Sequence, residues 1–393
     1  MILFDTNGHN DTPGRNPIPL IAFLTFITAV GVGYAIHGLI VGHHHVFGTT
    51  REVPWGILVT PYVFFACLST GLCIISSLGQ VFKVKPFIPL VNRSVFLSIL
   101  AMVAGLMAIG LEIENPWNMA LYGFLSPNPL SNIWWKSSLY TFFLLFMALN
   151  FMFLLMDRKA TARIMATVAL FAITCGNLNM NADMALLGAR GFWAENYMPL
   201  FFLLVSTLSA CSLLVLLIRI SNWVQKRTFD TEADGSASAL FKLMIVLVIG
   251  ILAFSVMKAL GGFSAKFTEN PEAMKILVRG DFAMNFWIGE ILLGGILPLL
   301  LLASSSGGRR FGMFALAGLS CAIGISVAYY DLIVVGQLIP HFHQYNLYGE
   351  DQFYTYTPTF NEFVIVAGSV SFFFAAFLVG ELFFNRTSWK QSS

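Results

Sequence analysis

Residues 197–219, YMPLFFLLVSTLSACSLLVLLIR, carry no charge until the closing Arg219. A run of this kind meets the roughly 20 apolar residues that an α-helix needs to cross a hydrocarbon core about 30 Å thick. Nine further windows read the same way, near residues 19–41, 54–82, 93–111, 133–156, 162–181, 239–260, 282–303, 311–337 and 360–384. The whole chain agrees with them. Of its 393 residues 57% are apolar and only 11% charged, with 38 Phe and a mean hydropathy of +0.76, which leaves too little polar surface for a water-soluble globule. The expectation is an all-α integral membrane protein of about ten transmembrane helices.

The distribution of Lys and Arg orients it. With the N-terminus in the cytoplasm, fifteen of the 22 basic residues fall on the cytoplasmic side and seven outside. The positive-inside rule therefore puts both termini in the cytoplasm. Residues 1–18 read as a cytoplasmic tail. They lack the small-residue cleavage site of a secretory signal, so the first apolar segment is expected to stay as a helix. The polar stretch 221–238, SNWVQKRTFDTEADGSAS, reads as a cytoplasmic linker between 19–220, with helices 1 to 6, and 239–393, with helices 7 to 10 and the C-terminal tail. Two four-helix bundles plus peripheral helices fit that division. The fifth window ends in Asn177, Asn179, Asn181 and Asp183, and is expected to unwind there against protein or water.

Cofactor ligands are scarce. Cys67, Cys73, Cys175, Cys211 and Cys321 lie in apolar windows at unrelated spacings, with neither C-x-x-C nor C-x-x-C-H. Neither an iron–sulfur cluster nor a haem is expected on this chain, and His37 is the one histidine within an apolar helix. His43, His44 and His45 are adjacent, so they cannot all converge on one ion, and no metal site is expected. Nothing in the composition points to nucleic acid.

Ionisable groups at membrane depth are costly and mark functional sites by default. Tyr62 lies about 12 Å below the outer edge if the second helix starts at Pro54. Glu112 closes the third helix, Lys136 opens the fourth, and Asp183 and Arg190 bracket the end of the fifth and the turn into the sixth. Trp55, Trp117, Trp134, Trp135 and Trp193 share that level, where an aromatic belt is the plainer reading. A pocket lined by a phenol, carboxylates and Arg, open to lipid and to the outer surface, suits a quinone: its tail partitions into the bilayer, its carbonyls need donors, and its reduction needs two protons. In the second half Glu290, about 15 Å into helix 8, forms a candidate proton route with Asp331 and Glu362, a packing role for Glu290 being the alternative. Glu381 reads as interface charge. A secondary transporter or a purely structural anchor stays open as an alternative function, although the internal repeats of carriers are not evident.

Several segments resemble the NrfD/PsrC family, the membrane subunits of polysulfide reductase-type complexes and of certain nickel–iron hydrogenases. They are V53-P-W-G56, Y62-V-F-F-A-C-L-S-T-G71, N128-P-L-S-N-I-W-W-K136, A189-R-G-F-W193 with M198-P-L-F-F202, F286-W-I-G-E-I-L-L293 and Y356-T-P-T-F-N-E362. The resemblance spreads over nearly the whole chain through short motifs. It implies a menaquinone in the bundle of helices 2 to 5, a ferredoxin-like [4Fe-4S] subunit docked at the outer face, and beyond it a catalytic or multihaem cytochrome subunit. It further implies a bacterial or archaeal cytoplasmic membrane. Arg190 matches the family's R-P-L-W-like Arg, Glu112 its acid after the third helix, and Lys136 follows the matching I-W-W. Tyr62 departs from the His or Asp that relatives carry near the quinone head. Tyr62, Lys136, Arg190 and Trp193 are thus the expected quinone pocket, with Glu112 and Asp183 exchanging protons.

Overall fold

The computed structural model describes residues 16–186, 191–193, 197–225, 235–264, 271–305, 310–340 and 353–383. Among them are ten helices long and apolar enough to cross a membrane, one for each window of the sequence: α1 Ile18–Val41, α2 Val59–Gln80, α3 Val91–Glu112, α4 Asn132–Leu155, α5 Lys159–Leu186, α6 Met198–Gln225, α7 Ser236–Phe263, α8 Asn285–Ser304, α9 Phe311–Leu338 and α10 Phe360–Phe383. The protein is a multi-pass, all-α integral membrane protein. In α2 and α6 most of the apolar window is buried in protein (83% and 78%), against 11% in α1, so α2 and α6 form the centre and α1 faces lipid.

Two closed rings of helices account for most of the packing. α2 lies against α3, α3 against α4, α4 against α5, and α5 returns to α2. Likewise α6 lies against α7, α7 against α8, α8 against α9, and α9 returns to α6. The rings join where α2 meets α6 and α9. Apolar side chains gain nothing by leaving lipid for one another, so such joints depend on small residues and buried polar bonds. Gly71 on α2 supplies one: a Cβ there would collide with the carbonyl of Ser206 on α6. Ser69 and Ser98 supply another, each hydroxyl donating to the other's backbone oxygen at 2.8 Å across α2 and α3.

The sequence division grouped helix 6 with the first half and helix 10 with the second. In the structure α6 packs into the second ring, and α10 pairs with α1 on the flank of α3. The α1–α10 contact is close because glycine faces glycine: a Cβ on Gly31 would lie 2.8 Å from Gly368 Cα. At the end where α3 begins, Arg93 reaches Glu381 of α10 at 3.1 Å, and Ser221 of α6 donates to the same carboxylate. Glu381 is therefore a buried tie between three helices and not interface charge.

Two boundaries differ from the sequence reading. α5 runs without a break through Asn177 and Asn179 to Leu186, because the Asn177 amide is buried and donates to Ser206 Oγ at 3.1 Å and Thr70 Oγ1 at 3.4 Å. α2 starts at Val59 and not near Pro54. The amide of Trp55 donates to Gln337 Oε1 at 3.0 Å and its carbonyl accepts from Gln337 Nε2 at 2.8 Å, so this backbone bonds to α9 in place of a helical turn.

Candidate functional site

All four helices of the first ring carry a sequence-predicted residue at one end. Tyr62 stands three residues into α2, about 5 Å from its start, and is 7% exposed. Lys136 stands on the second turn of α4, whose first turn is capped by the Ser131 hydroxyl accepting from the Trp134 amide at 3.4 Å. The Lys136 ammonium lies 5.8 Å from the centroid of the Tyr62 ring, so the structure brings these two residues together as a cation–π pair. Glu112 is the last residue of α3 and sits in the electrostatic field of Glu362. Asp183 belongs to the last turns of α5, but its side chain lies outside the described residues, as does the whole of Arg190.

Trp193, expected in the quinone pocket, packs against α9 and Trp55. Its indole is 2% exposed, donates to the Leu332 carbonyl at 2.7 Å and lies 5.6 Å from the Trp55 ring. A Cβ at Gly336 would collide with it. The side chain thus bonds α9 on the seam between the rings. At the opposite end of the molecule an open cavity of about 540 Å³ is walled by Leu216, Arg219, Arg310, Phe311 and Leu319. None of Tyr62, Glu112 or Lys136 lines it.

Glu362, fully buried on the first turn of α10, is held by its surroundings. Its Oε2 accepts from the amides of Thr359 at 2.8 Å and Gly48 at 3.0 Å, and its Oε1 accepts from the Tyr356 hydroxyl at 2.7 Å. The Thr359 hydroxyl in turn accepts from the Glu362 amide at 3.3 Å. This is a capping box. The pattern Thr359-x-x-Glu362 announces it in the sequence, and reading Glu362 only as a proton carrier missed it. Tyr356 lies outside the spanning helices; burial, and next the adjacent Glu362 carboxylate, push its phenol above the ordinary range, while the Ile57 amide that donates to it works the other way. Tyr356 therefore stays a neutral donor to Glu362.

The second ring holds three further buried charged residues, Lys258, Glu290 and Asp331. Glu290 on α8 pairs with Lys258 on α7 at 2.9 Å, their side chains 3% and 2% exposed. Asp331 on α9, 1% exposed, accepts from Asn285 Nδ2 on α8 at 2.8 Å. The ammonium of Lys258 also lies 4.9 Å from the Phe201 ring of α6, so all four helices of this ring contribute. The helix is already wound at Ala283, so Glu290 is about 10 Å from its end, shallower than the sequence reading. Nothing near Lys258 in the chain reveals its partner 32 residues on. Glu112 feels the charge of Glu362, Tyr330 that of Glu362 and Asp331, and Asp331 that of Glu290 and Lys258, so these groups influence one another electrostatically.

Comparison with known proteins gives this arrangement a lineage. The sequence pattern of the family described as polysulphide reductase, NrfD, matches residues 45–341, which takes in both rings up to the end of α9. Among similar proteins is the Hdr-like menaquinol oxidoreductase integral membrane subunit of Archaeoglobus fulgidus, 21% identical over 372 residues, covering 92% of this chain and 91% of the relative. Another is a selenate reductase subunit of Mesobacillus selenatarsenatis, 24% identical over 366 residues, covering 81% of this chain and 82% of the relative. With most of its length matched by the family pattern, and relatives matched over nearly their whole length, the chain belongs to the NrfD polysulphide reductase family.

Proposed function

We propose that this chain is the quinone-reactive membrane subunit of a multisubunit redox complex, exchanging electrons between menaquinone or menaquinol and an iron–sulfur partner at the outer, periplasmic face. The observation that carries the reading is the Lys136 ammonium held over the Tyr62 ring at the end of the first ring, where Glu112 also lies. A relative of nearly the same length is named as a menaquinol oxidoreductase membrane subunit, which supports it. The partners are a ferredoxin-like [4Fe-4S] subunit and, beyond it, a catalytic or multihaem cytochrome subunit, in a bacterial or archaeal cytoplasmic membrane with both chain termini inside.

The donors present fit a quinone head group. Tyr62 offers a phenolic O–H and Lys136 an ammonium at the same depth, and both can hydrogen-bond a carbonyl oxygen. The quinone, as substrate, supplies the two-electron, two-proton chemistry. Tyr62 and Arg190 orient its carbonyls. Glu112 and Asp183 hold and release protons toward the outer side, Glu112 being placed for this at the end of α3. The apolar lipid-facing surfaces of the ring let the isoprenoid tail enter from the bilayer.

The test is organic extraction of the complex purified through a tag on this chain, with quinone turnover assayed on the same preparation, for the parent and for Arg190→Ala. The parent retains quinone, and the variant loses most of it along with at least ten-fold in turnover. Arg190→Ala with native assembly and undiminished turnover overturns the assignment.

A further inference from the structure

The connection from α3 to α4 carries a helix of its own, Pro116–Leu125, that the quinone reading leaves unused. The sequence builds it locally. Pro116 stands at its first position, where a missing N–H costs nothing, and the chain is turned out of it at Ser126, the residue before Pro127. Trp117, Leu121, Phe124 and Leu125 follow the spacing i, i+4, i+7, i+8 and so share one face. They are 78%, 58%, 78% and 76% exposed, and among the described residues no other helix packs broadly against this one. Between Glu114 and Lys136 the chain has no charged residue. An open apolar face of this kind is an interaction surface.

Two ties fix the level at which the helix lies. The Trp134 indole donates to the Gly123 carbonyl at 3.0 Å and the Trp135 indole to the Pro129 carbonyl at 2.8 Å, so the first turn of α4 holds both the helix and the segment that leaves it. Because α4 is a spanning helix, its first turn marks the edge of the bilayer's apolar core. Trp135 shares a face of α4 with Phe142, Leu145 and Met152, all exposed, and only 22% of the apolar window of α4 is buried in protein. That face meets lipid. The connection is therefore bonded to the lipid-facing side of α4. A face that receives a protein from water is bordered by charges that steer the partner and fix its register, and this segment offers none. Trp and Tyr, apolar in body and polar at one edge, suit the boundary between acyl chains and headgroups, and the helix carries Trp117 and Tyr122.

We propose that Pro116–Leu125 lies in the plane of the membrane interface, with Trp117, Leu121, Phe124 and Leu125 sunk among the acyl chains. Its partner is the bilayer. The inference is independent of the quinone reading. Only residues 113–115 separate the helix from α3 and 126–131 separate it from α4, so it holds the end of the one and the start of the other at a common depth. These are the helix ends that carry Glu112 and Lys136.

The experiment is spin-label accessibility in the complex purified through a tag on this chain and reconstituted in phosphatidylcholine vesicles. Labels are placed singly at Phe124→Cys, at Glu114→Cys as the reference for water and at Leu145→Cys as the reference for lipid. All three sites are exposed, whereas the native cysteines are buried or half-buried, and the unsubstituted protein gives their background. Relaxation by oxygen, which concentrates in the bilayer, is compared with relaxation by a nickel chelate, which stays in water. The Phe124 label follows Leu145, relaxed about three-fold more by oxygen than by the chelate. A Phe124 label that follows Glu114 places the helix in water, and one shielded from both reagents places it under a protein; either result overturns the proposal. A second measurement needs no label: quenching of tryptophan emission by brominated phosphatidylcholine. Trp117→Phe loses part of the lipid-quenchable emission, and an unchanged quenchable emission overturns the proposal as well.

Discussion

Lys136 holds its ammonium over the Tyr62 ring on the neighbouring helix, and the attraction between them is worth about 1–2 kcal/mol at a partly desolvated position. Lys136→Met is therefore expected to raise the KM for quinol about ten-fold with a smaller change in kcat, and Lys136→Arg to keep most of the affinity. Steady-state turnover of the purified complex checks both, and an unchanged KM in the Met variant removes Lys136 from the pocket. Glu362 makes the opposite kind of contribution. Glu362→Ala takes the acceptor from two backbone amides and the Tyr356 hydroxyl, and costs roughly 2–3 kcal/mol as a lowered thermal midpoint in detergent. Thr359→Ala costs about 1 kcal/mol, and the double variant less than the two together, because both residues belong to one box. Tyr62, Glu112 and Lys136 draw attention in the sequence because charge and phenol stand out against apolar windows. Lys258 was passed over for a physical reason: it sits near a window's end, where a lysine is ordinary, and only the fold brings it to Glu290.

The ten spanning helices were legible as windows because each must be long and apolar enough for the bilayer, a demand that composition alone expresses. Their ends were less so. Gln337 competes with helix formation for the Trp55 backbone, and Asn177 finds partners on α2 and α6 that keep α5 wound; both involve residues distant in the chain. Close packing between elements is equally invisible in one helix read alone. Gly324→Val inserts a side chain where α9 meets Gly294 of α8, and is expected to destabilise the detergent-solubilised protein by about 1–3 kcal/mol or more. Gly33→Val on α1, where a Cβ meets open space, leaves the thermal midpoint unchanged and serves as the comparison.

Hydrophobic windows say how many times a chain crosses and not who stands beside whom; the first ring is the bundle of helices 2 to 5 that the family resemblance implied, whereas the membership of the second was not legible. The polar linker at 221–238 drew attention to a division between helices 6 and 7, yet α6 completes the ring of α7, α8 and α9. A short break in hydrophobicity marks a turn in water and carries no information about packing. The pairing of α1 with α10 has a further consequence, for the order of synthesis. Thr28 on α1 lies 3.3 Å from the carbonyl of Gly368, 340 residues later, and Gly31 packs on that same glycine. α1 thus waits in the bilayer until α10 has been made before its main contact can form. Until then α1 is a loosely held lipid-facing helix, and the growing chain stays open on that flank.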